Sequence, residues 1–292
     1  MNARRVILPL LLGASVIGLV SCGGDLVVSN DVLVIGMECN YQPFNWTVNK
    51  ETEHTLPVYG TNEFTDGYDV AVAKFLSKEL KKDVYIKKME WDSLIPGLQN
   101  DEINMVLAGM TDTPARRESI DFTIPYLASD LAFLVKTSSM PQGYGTKENP
   151  ATYAQLLDLF DGKSLVCQAN VVGDEFIDTY FVNNDQGKTI GHFAAAKTYP
   201  MAAQDVKSGN AFAMPAELPV IEAMTNLGDL SVLYCDYSFL SAEDKNGLTV
   251  SIGTKKGNDD FTAELNGALE KLTEELRAQY MGEAATRSAA NA

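Results

Sequence analysis

An α/β fold of two lobes is the fold class this sequence predicts, and three observations carry the prediction. Short apolar, β-branched runs alternate with amphipathic helical stretches from residue 32 to residue 108. That order builds a mostly parallel sheet covered by helices on both faces. The same alternation starts afresh at residue 152 and continues toward the C-terminus. The roughly 270 residues that follow the N-terminal segment are long enough for two cores.

Each element follows from its own residues. Residues 32–37, Val-Leu-Val-Ile-Gly-Met, make the first strand. Residues 47–66 are polar and turn-rich, a long hairpin or loop. A helix follows over 69–82, with Val72, Phe75, Leu76 and Leu80 on one face and Lys74, Lys78, Lys81 and Lys82 in solvent. Residues 84–86 form a short strand. Asp92 is placed to cap the next helix, with Pro96 in its first turn, and 105–108 is a buried strand. In the second half, 152–160 reads as a helix with Gly162 past its end, and 164–167 as a strand. Helices are expected over 173–180 and 200–207, the second stopped by Ser208-Gly209. Strands are expected at 212–214, where Pro215 interrupts, then at 231–235 and 248–252. A long helix starts at Asp259, with Phe261, Leu265, Leu269 and Leu272 on one stripe. Ligands of such sheets bind beyond the carboxyl ends of the strands, so the natural site is the cleft between the lobes.

The N-terminus carries an address. Arg4 and Arg5 precede an uncharged, largely apolar run over 6–20 that is too short to span a bilayer comfortably, so 1–21 reads as a signal peptide. Leu19-Val20-Ser21-Cys22 resembles the bacterial lipobox. The resemblance implies that Cys22 becomes the lipidated first residue of the mature chain, tethering a soluble domain to a membrane through a linker over 22–30.

The formal charge is −16, and cleavage before Cys22 removes two arginines, leaving 39 acids against 21 bases, or −18. A surface this acidic repels phosphate and argues against nucleic acid as a partner. Cys39, Cys167 and Cys235 then remain, an odd number that leaves at least one free thiol or one intermolecular bridge. There is no CxxC, and His54 and His192 have no ligand partners at recognisable spacing, so neither metal nor cofactor is expected. Asn45-Trp46-Thr47 fits the glycosylation triplet, but with a bacterial lipobox the match is chance. No later segment is long and apolar enough for a transmembrane helix.

One constellation carries chemistry. Gly109-Met110-Thr111-Asp112-Thr113-Pro114-Ala115-Arg116 directly follows a buried strand. Thr113 is a good N-cap, Pro114 suits the first helical position, and Arg116 falls in the first turn. Gly109 lets the backbone come close to a ligand, and Thr111 offers a hydroxyl and an N–H. Unpaired N–H groups at a helix start favour an anion, and the planar fork of Arg116 suits a carboxylate. A surface arginine is the plain alternative.

Five segments resemble the polar amino-acid-binding proteins of ABC importers, the smaller of the two-lobed periplasmic-binding folds. They are Gly36 to Trp46 (GMECNYQPFNW), Gly67-Tyr68-Asp69-Val70, Trp91 to Leu98 (WDSLIPGL), Gly109 to Arg116 followed by Asp121-Phe122, and Val250 to Gly257 (VSIGTKKG). The similarity covers about residues 31 to 285. It implies a type II periplasmic-binding fold with a ligand cleft and a double crossover hinge. One lobe would comprise 31–130 plus 245–292 and the other 131–244. It also implies roles. Arg116 would grip an α-carboxylate with Thr111 and the backbone near Gly109. Tyr41 and Trp91 would sandwich the aliphatic part of the ligand. Glu217 would receive the α-ammonium. Gln168 and Asn170 match the ligand loop of the second lobe, and Glu38 faces the ligand side chain. The sequence departs from the family at Phe212, where many relatives have Asp, and at Asn170-Val171, in place of a Gly-Thr type of pair.

Three functions fit. A transport receptor needs a closing cleft and no nucleophile; its partners would be an amino acid, the permease of an ABC importer, and the membrane through the N-terminal lipid. It would sit on the extracytoplasmic side. An enzyme on the same fold, similar to cyclohexadienyl or arogenate dehydratases, would recruit Glu38 or Glu217 as acid or base. A sensory lipoprotein would bind the same ligand and report it. Glu38 favours a side chain that is cationic or donates hydrogen bonds, as in lysine, arginine, histidine or glutamine.

Overall fold

The computed structural model describes residues 26–128, 130–241, 244–245 and 248–290. The signal peptide over 1–21 and the lipobox cysteine Cys22 lie outside the described residues. The first strand, β1 (Leu33–Met37), is buried at every position, as a central parallel strand must be. The turn-rich stretch after it is the small antiparallel sheet β2 (Asn40–Tyr41), β3 (Asn45–Val48), β4 (Leu56–Pro57) and β5 (Phe64–Asp66), in the order β2-β3-β5-β4. Helix α1 (Tyr68–Leu80) buries Tyr68, Asp69, Val70, Val72, Ala73 and Leu76 and ends on Lys81 in the left-handed region. β6 (Val84–Lys88), α2 (Trp91–Gln99) and β7 (Met105–Val106) follow. The cap of α2 is Glu90, not Asp92, which lies in the first turn. Pro96 stands inside that helix instead of at its start; its ring denies an N–H to the turn before it, and the helix ends at Gln99.

β8 (Ile120–Ala128) closes the first large sheet, ordered β6-β1-β7-β14-β8, in which β14 (Thr249–Lys255) runs antiparallel to both neighbours. The second sheet is ordered β11-β10-β12-β9-β13, from β9 (Leu131–Lys136), β10 (Ser164–Leu165), β11 (Gly191–His192), β12 (Ala213–Glu217) and β13 (Leu230–Leu233). Here β9 is antiparallel to β12 and β13. Both sheets are thus mixed, because the chain crosses from the first sheet to the second after β8 and returns before β14. Each crossing inserts a strand of reversed direction.

Pro215 does not interrupt β12; it pairs with Phe133 of β9. Its carbonyl accepts from Cys167 Sγ at 3.3 Å on the opposite side, toward β10. The nitrogen of a strand residue points the same way as its carbonyl, so the missing N–H removes no bond to β9. Three further expectations change in detail. Over 173–180, α5 (Val172–Phe176) is followed by a stretch of π-helix at Ile177–Val182. Residues 200–207 extend to α6 (Tyr199–Ser208). The long C-terminal helix is two helices, which we number with α3 (Pro114–Arg117), α4 (Tyr153–Phe160) and α7 (Leu218–Met224) as α8 (Asp259–Leu269) and α9 (Glu274–Ala290). The apolar stripe survives the break, with Phe261, Leu265, Leu269 and Leu272 all buried. Thr273 restarts the helix by accepting from Leu276 N. All three described cysteines, Cys39, Cys167 and Cys235, are free and buried.

A pocket between two sheets

The candidate residues sit where parallel strands end. β1 runs into Glu38; β7 leads to Gly109 and Thr111; the stretch after β10 carries Gln168 and Asn170; β12 ends on Glu217. Carboxyl ends of strands are where an α/β sheet exposes backbone and side chains to a ligand. These ends meet at one pocket. Glu38, Tyr41, Trp91, Gly109, Thr111 and Arg116 come from the first side, and Val171, Val172, Tyr199 and Glu217 from the second.

Arg116 holds the most connected position. Thr113 caps α3, its hydroxyl accepting from Arg116 N at 3.3 Å, and Pro114 takes the first helical place. The guanidinium is thereby aimed inward. It donates to Thr111 O at 2.7 Å and to Asn170 O at 3.0 Å, and lies 5.3 Å from the Trp91 ring centre. Asn170 O also accepts from Trp91 Nε1 at 3.1 Å, and Asn170 Nδ2 donates to Asp92 at 2.9 Å. Asn170 does this from a left-handed backbone, φ 62°, with its N–H bound to Asp174. One asparagine therefore joins three residues of the opposite side.

Gly109 has φ 62°, and a Cβ there would lie 2.9 Å from Tyr41 Cε1. Its N–H donates to Tyr126 Oη at 3.0 Å. The close approach that a glycine permits is thus made by a protein ring, which differs from the expected approach of a ligand. Tyr41 also departs from the expected aromatic sandwich. It stacks on Phe44 (5.2 Å, 7°) and on Tyr199 (4.5 Å, 24°), so its hydroxyl, not its face, is the polar group it brings to the pocket. That hydroxyl donates to Glu217 Oε2.

The two acids of the pocket are buried and strained toward protonation. Burial raises Glu38 to about 7, against a lowering by the Gln168 hydrogen bond and a further rise from Glu90 and Asp92. Burial also raises Glu217, and the Tyr41 hydroxyl and the Arg116 charge pull it back. A cation delivered between them would favour both carboxylates. Gln168 donates to Glu38 Oε1 at 3.0 Å, and its own carbonyl accepts from Tyr199 N at 3.1 Å.

All nine expected binding residues are close to this pocket: seven line it, and Gln168 and Asn170 bond to residues that do. Sequence reading missed Tyr199, whose Thr198-Tyr199-Pro200 helix start carried the only local signal. It also missed the network beneath the pocket. Asp69, fully buried, accepts from Tyr126 Oη at 2.8 Å and from Asn45 Nδ2 at 2.7 Å, while Asn45 Oδ1 receives Cys39 N at 2.7 Å. In the sequence Asp69 marks a helix start and belongs to the Gly67-Tyr68-Asp69-Val70 segment of the resemblance, with no partner assigned to it.

Comparison with known proteins points one way. The model of the bacterial extracellular solute-binding proteins, family 3, matches residues 33–283. An octopine-binding periplasmic protein of Rhizobium meliloti is 25% identical over 255 residues, 82% of this chain and 79% of that one. Among solved structures, an amino acid ABC transporter substrate-binding protein of Streptococcus pneumoniae, bound to L-arginine, superposes with a TM-score of 0.69 at 17% identity, over 90% of this chain and 98% of that one. An ancestral amino acid-binding protein, a precursor of cyclohexadienyl dehydratase, superposes with a TM-score of 0.65 at 21% identity, over 87% and 94%.

Proposed function

This chain belongs to the bacterial extracellular solute-binding proteins, family 3, and on that premise we propose that it captures a free amino acid with a cationic or hydrogen-bond-donating side chain and hands it to the permease of an ABC importer. The observation that carries the reading is the placement of one fixed cation and two buried carboxyls around a single pocket shared by both sheets. Arg116 stands on one side and Glu217 on the other, with Glu38 at the pocket wall. An α-carboxylate pairs with Arg116 in a charge-assisted bond. The α-ammonium takes the Glu217 carboxylate, and the ligand side chain extends toward Glu38. Trp91 covers the aliphatic part from the side of Arg116.

Entry requires the sides to part, since Tyr41 to Glu217 and Arg116 to Asn170 bridge them. We take the two crossings, one between β8 and β9 and one between β13 and β14, as the hinge between a lobe of 31–130 plus 245–292 and a lobe of 131–244. A ligand whose carboxylate and ammonium bind opposite lobes favours closure by its differential affinity. Among the similar proteins, one is named octopine-binding and another was solved with L-arginine bound, which favours a ligand with a cationic group in its side chain.

A thermal-shift screen against the common amino acids tests the reading. Binding to the folded state alone stabilises by about 2.7 kcal/mol at a hundredfold excess over Kd. Arginine or lysine is expected to raise Tm by several degrees. A screen in which no amino acid raises it removes the proposal. The dehydratase reading has one observation in its favour, a Glu38 carboxyl raised to about 7 and so able to donate a proton. Turnover of prephenate would establish it in place of transport.

We also propose that Cys22 is lipidated and anchors the protein outside the cytoplasm. Among the described residues no helix is long and apolar enough to cross a membrane. Cys22→Ser is expected to move the protein from the membrane fraction to the soluble one. A mutant that still pellets with membranes after a salt wash excludes the lipid anchor.

A further inference from the structure

Gln168 was expected to touch ligand, but both ends of its amide meet protein. Its backbone is fixed by pairing with Ala196, which donates to Cys167 O at 2.8 Å while Ala169 N donates back to Ala196 O at 2.9 Å. Its Oε1 is held by Tyr199 N at the start of α6, which orients the amide and sends Nε2 across the cleft to Glu38 Oε1. The residue is almost wholly buried, 1% exposed. A side chain so restrained does not adapt to ligands; it fixes whatever it touches. Glu38 keeps one oxygen, Oε2, outside this contact, and the residue lines the pocket.

We propose that Gln168 is a positioning residue for Glu38: its locked amide holds one carboxylate oxygen across the cleft and leaves the other for the ligand, so that preference for a positively charged side chain depends on Gln168. The proposal rests on the amino acid reading of the pocket. The other groups that face Glu38 are few. Glu90 and Asp92, at the start of α2, oppose its ionisation; the Asn40 side chain favours it; Arg116 and Glu217 line the same pocket. Lys197 is paired with Glu90 at 3.3 Å and partly offsets that charge. Of these, the Gln168 bond is the largest influence favouring the carboxylate. Protonated, Glu38 could still bond a neutral amide, but it could no longer balance a cation.

The test is calorimetric titration with L-arginine and with L-glutamine between pH 5.5 and pH 8.5 (about three units spanning the acid), on wild type and Gln168→Met. Wild-type affinity for arginine is expected to fall as pH drops through about 7. In Gln168→Met the midpoint should move up by about one unit, and arginine affinity at neutral pH should fall about tenfold. Glutamine affinity should change by less than about threefold, since it does not need the charge. Equal weakening of both ligands with an unmoved midpoint would overturn the proposal, because a merely structural role predicts that pattern. Should Gln168→Met fold poorly, Glu38→Gln serves instead. It must abolish the pH dependence of arginine binding, and persistence of that dependence overturns the proposal equally. If wild type binds no amino acid at pH 8, the parent reading falls and this one with it; if it binds arginine and the midpoint stays put, only this one falls.

Discussion

Arg116→Ala is expected to lower amino acid affinity by about 10- to 150-fold, the equivalent of about 1.5–3 kcal/mol for a charge-assisted bond, and by more if the site is dry. The guanidinium is the one cationic group among the residues lining the pocket. Its loss also removes the bonds to Thr111 O and Asn170 O and the contact with Trp91. Folding should survive, because α3 keeps its Thr113 cap and buries none of its residues. Arg117 supplies the control. It lies next in sequence, pairs with Asp112 at the exposed surface, and should tolerate alanine with affinity unchanged. Calorimetry on both variants decides the matter. Unchanged affinity in Arg116→Ala would remove the carboxylate site, whereas equal losses in both would point to a disturbed helix instead.

The sequence made the site's anchor residues legible for a physical reason. Cap chemistry is local: Thr113-Pro114-Ala115-Arg116 fixes the start of α3 and the place of Arg116 in its first turn, while the guanidinium is held by Thr111 nearby and by the distant Asn170 and Trp91. Glu38 and Glu217 are legible only through the family resemblance: β1 reads as an apolar run that stops just before Glu38, but the strand expected at 212–214 stops short of Glu217, which the structure places at the end of β12. What escaped depends on pairs far apart in the chain. The stack of Tyr41 on Tyr199 joins residues 158 positions apart, and nothing in the pattern of either segment announces it. The direction of β9 and β14 is of the same kind. Period and propensity identify a strand, but only the crossings between sheets reverse it. Pro215 shows the converse error. A breaker by local rules, it is tolerated because its nitrogen faces away from β9, on the side of the short β10, where Val166 N already bonds Ala213 O two residues before it.

The largest effect on stability is expected at Asp69, the carboxyl that ties the floor of the pocket together. Through Tyr126 it holds the Gly109 backbone, and through Asn45 it holds the Cys39 turn that presents Glu38 and Tyr41. Asp69→Ala leaves the Tyr126 hydroxyl and the Asn45 amide with buried donors unpaired, a cost of about 2–6 kcal/mol. In a chain of this size that lowers Tm by about 10 °C. Asp69 also carries a pH signature. Burial raises its carboxyl from 3.8 to about 7, against the lowering by Tyr126 and Asn45. The folded protein therefore holds this proton up to about 7, whereas the unfolded chain releases it near 3.8. Ionisation of Asp69 opposes folding between those values, so its contribution to stability falls as pH rises from about 4 to 7 and stays low above. Glu38, raised from 4.5 to about 7, adds in the same direction. Thermal unfolding without ligand should thus give a higher Tm at pH 5 than at pH 8, and Asp69→Ala should narrow that difference while lowering both values. A variant that unfolds within a degree or two of wild type, with the same difference between pH 5 and pH 8, would show that the network beneath the pocket carries neither the stability nor the proton assigned to it.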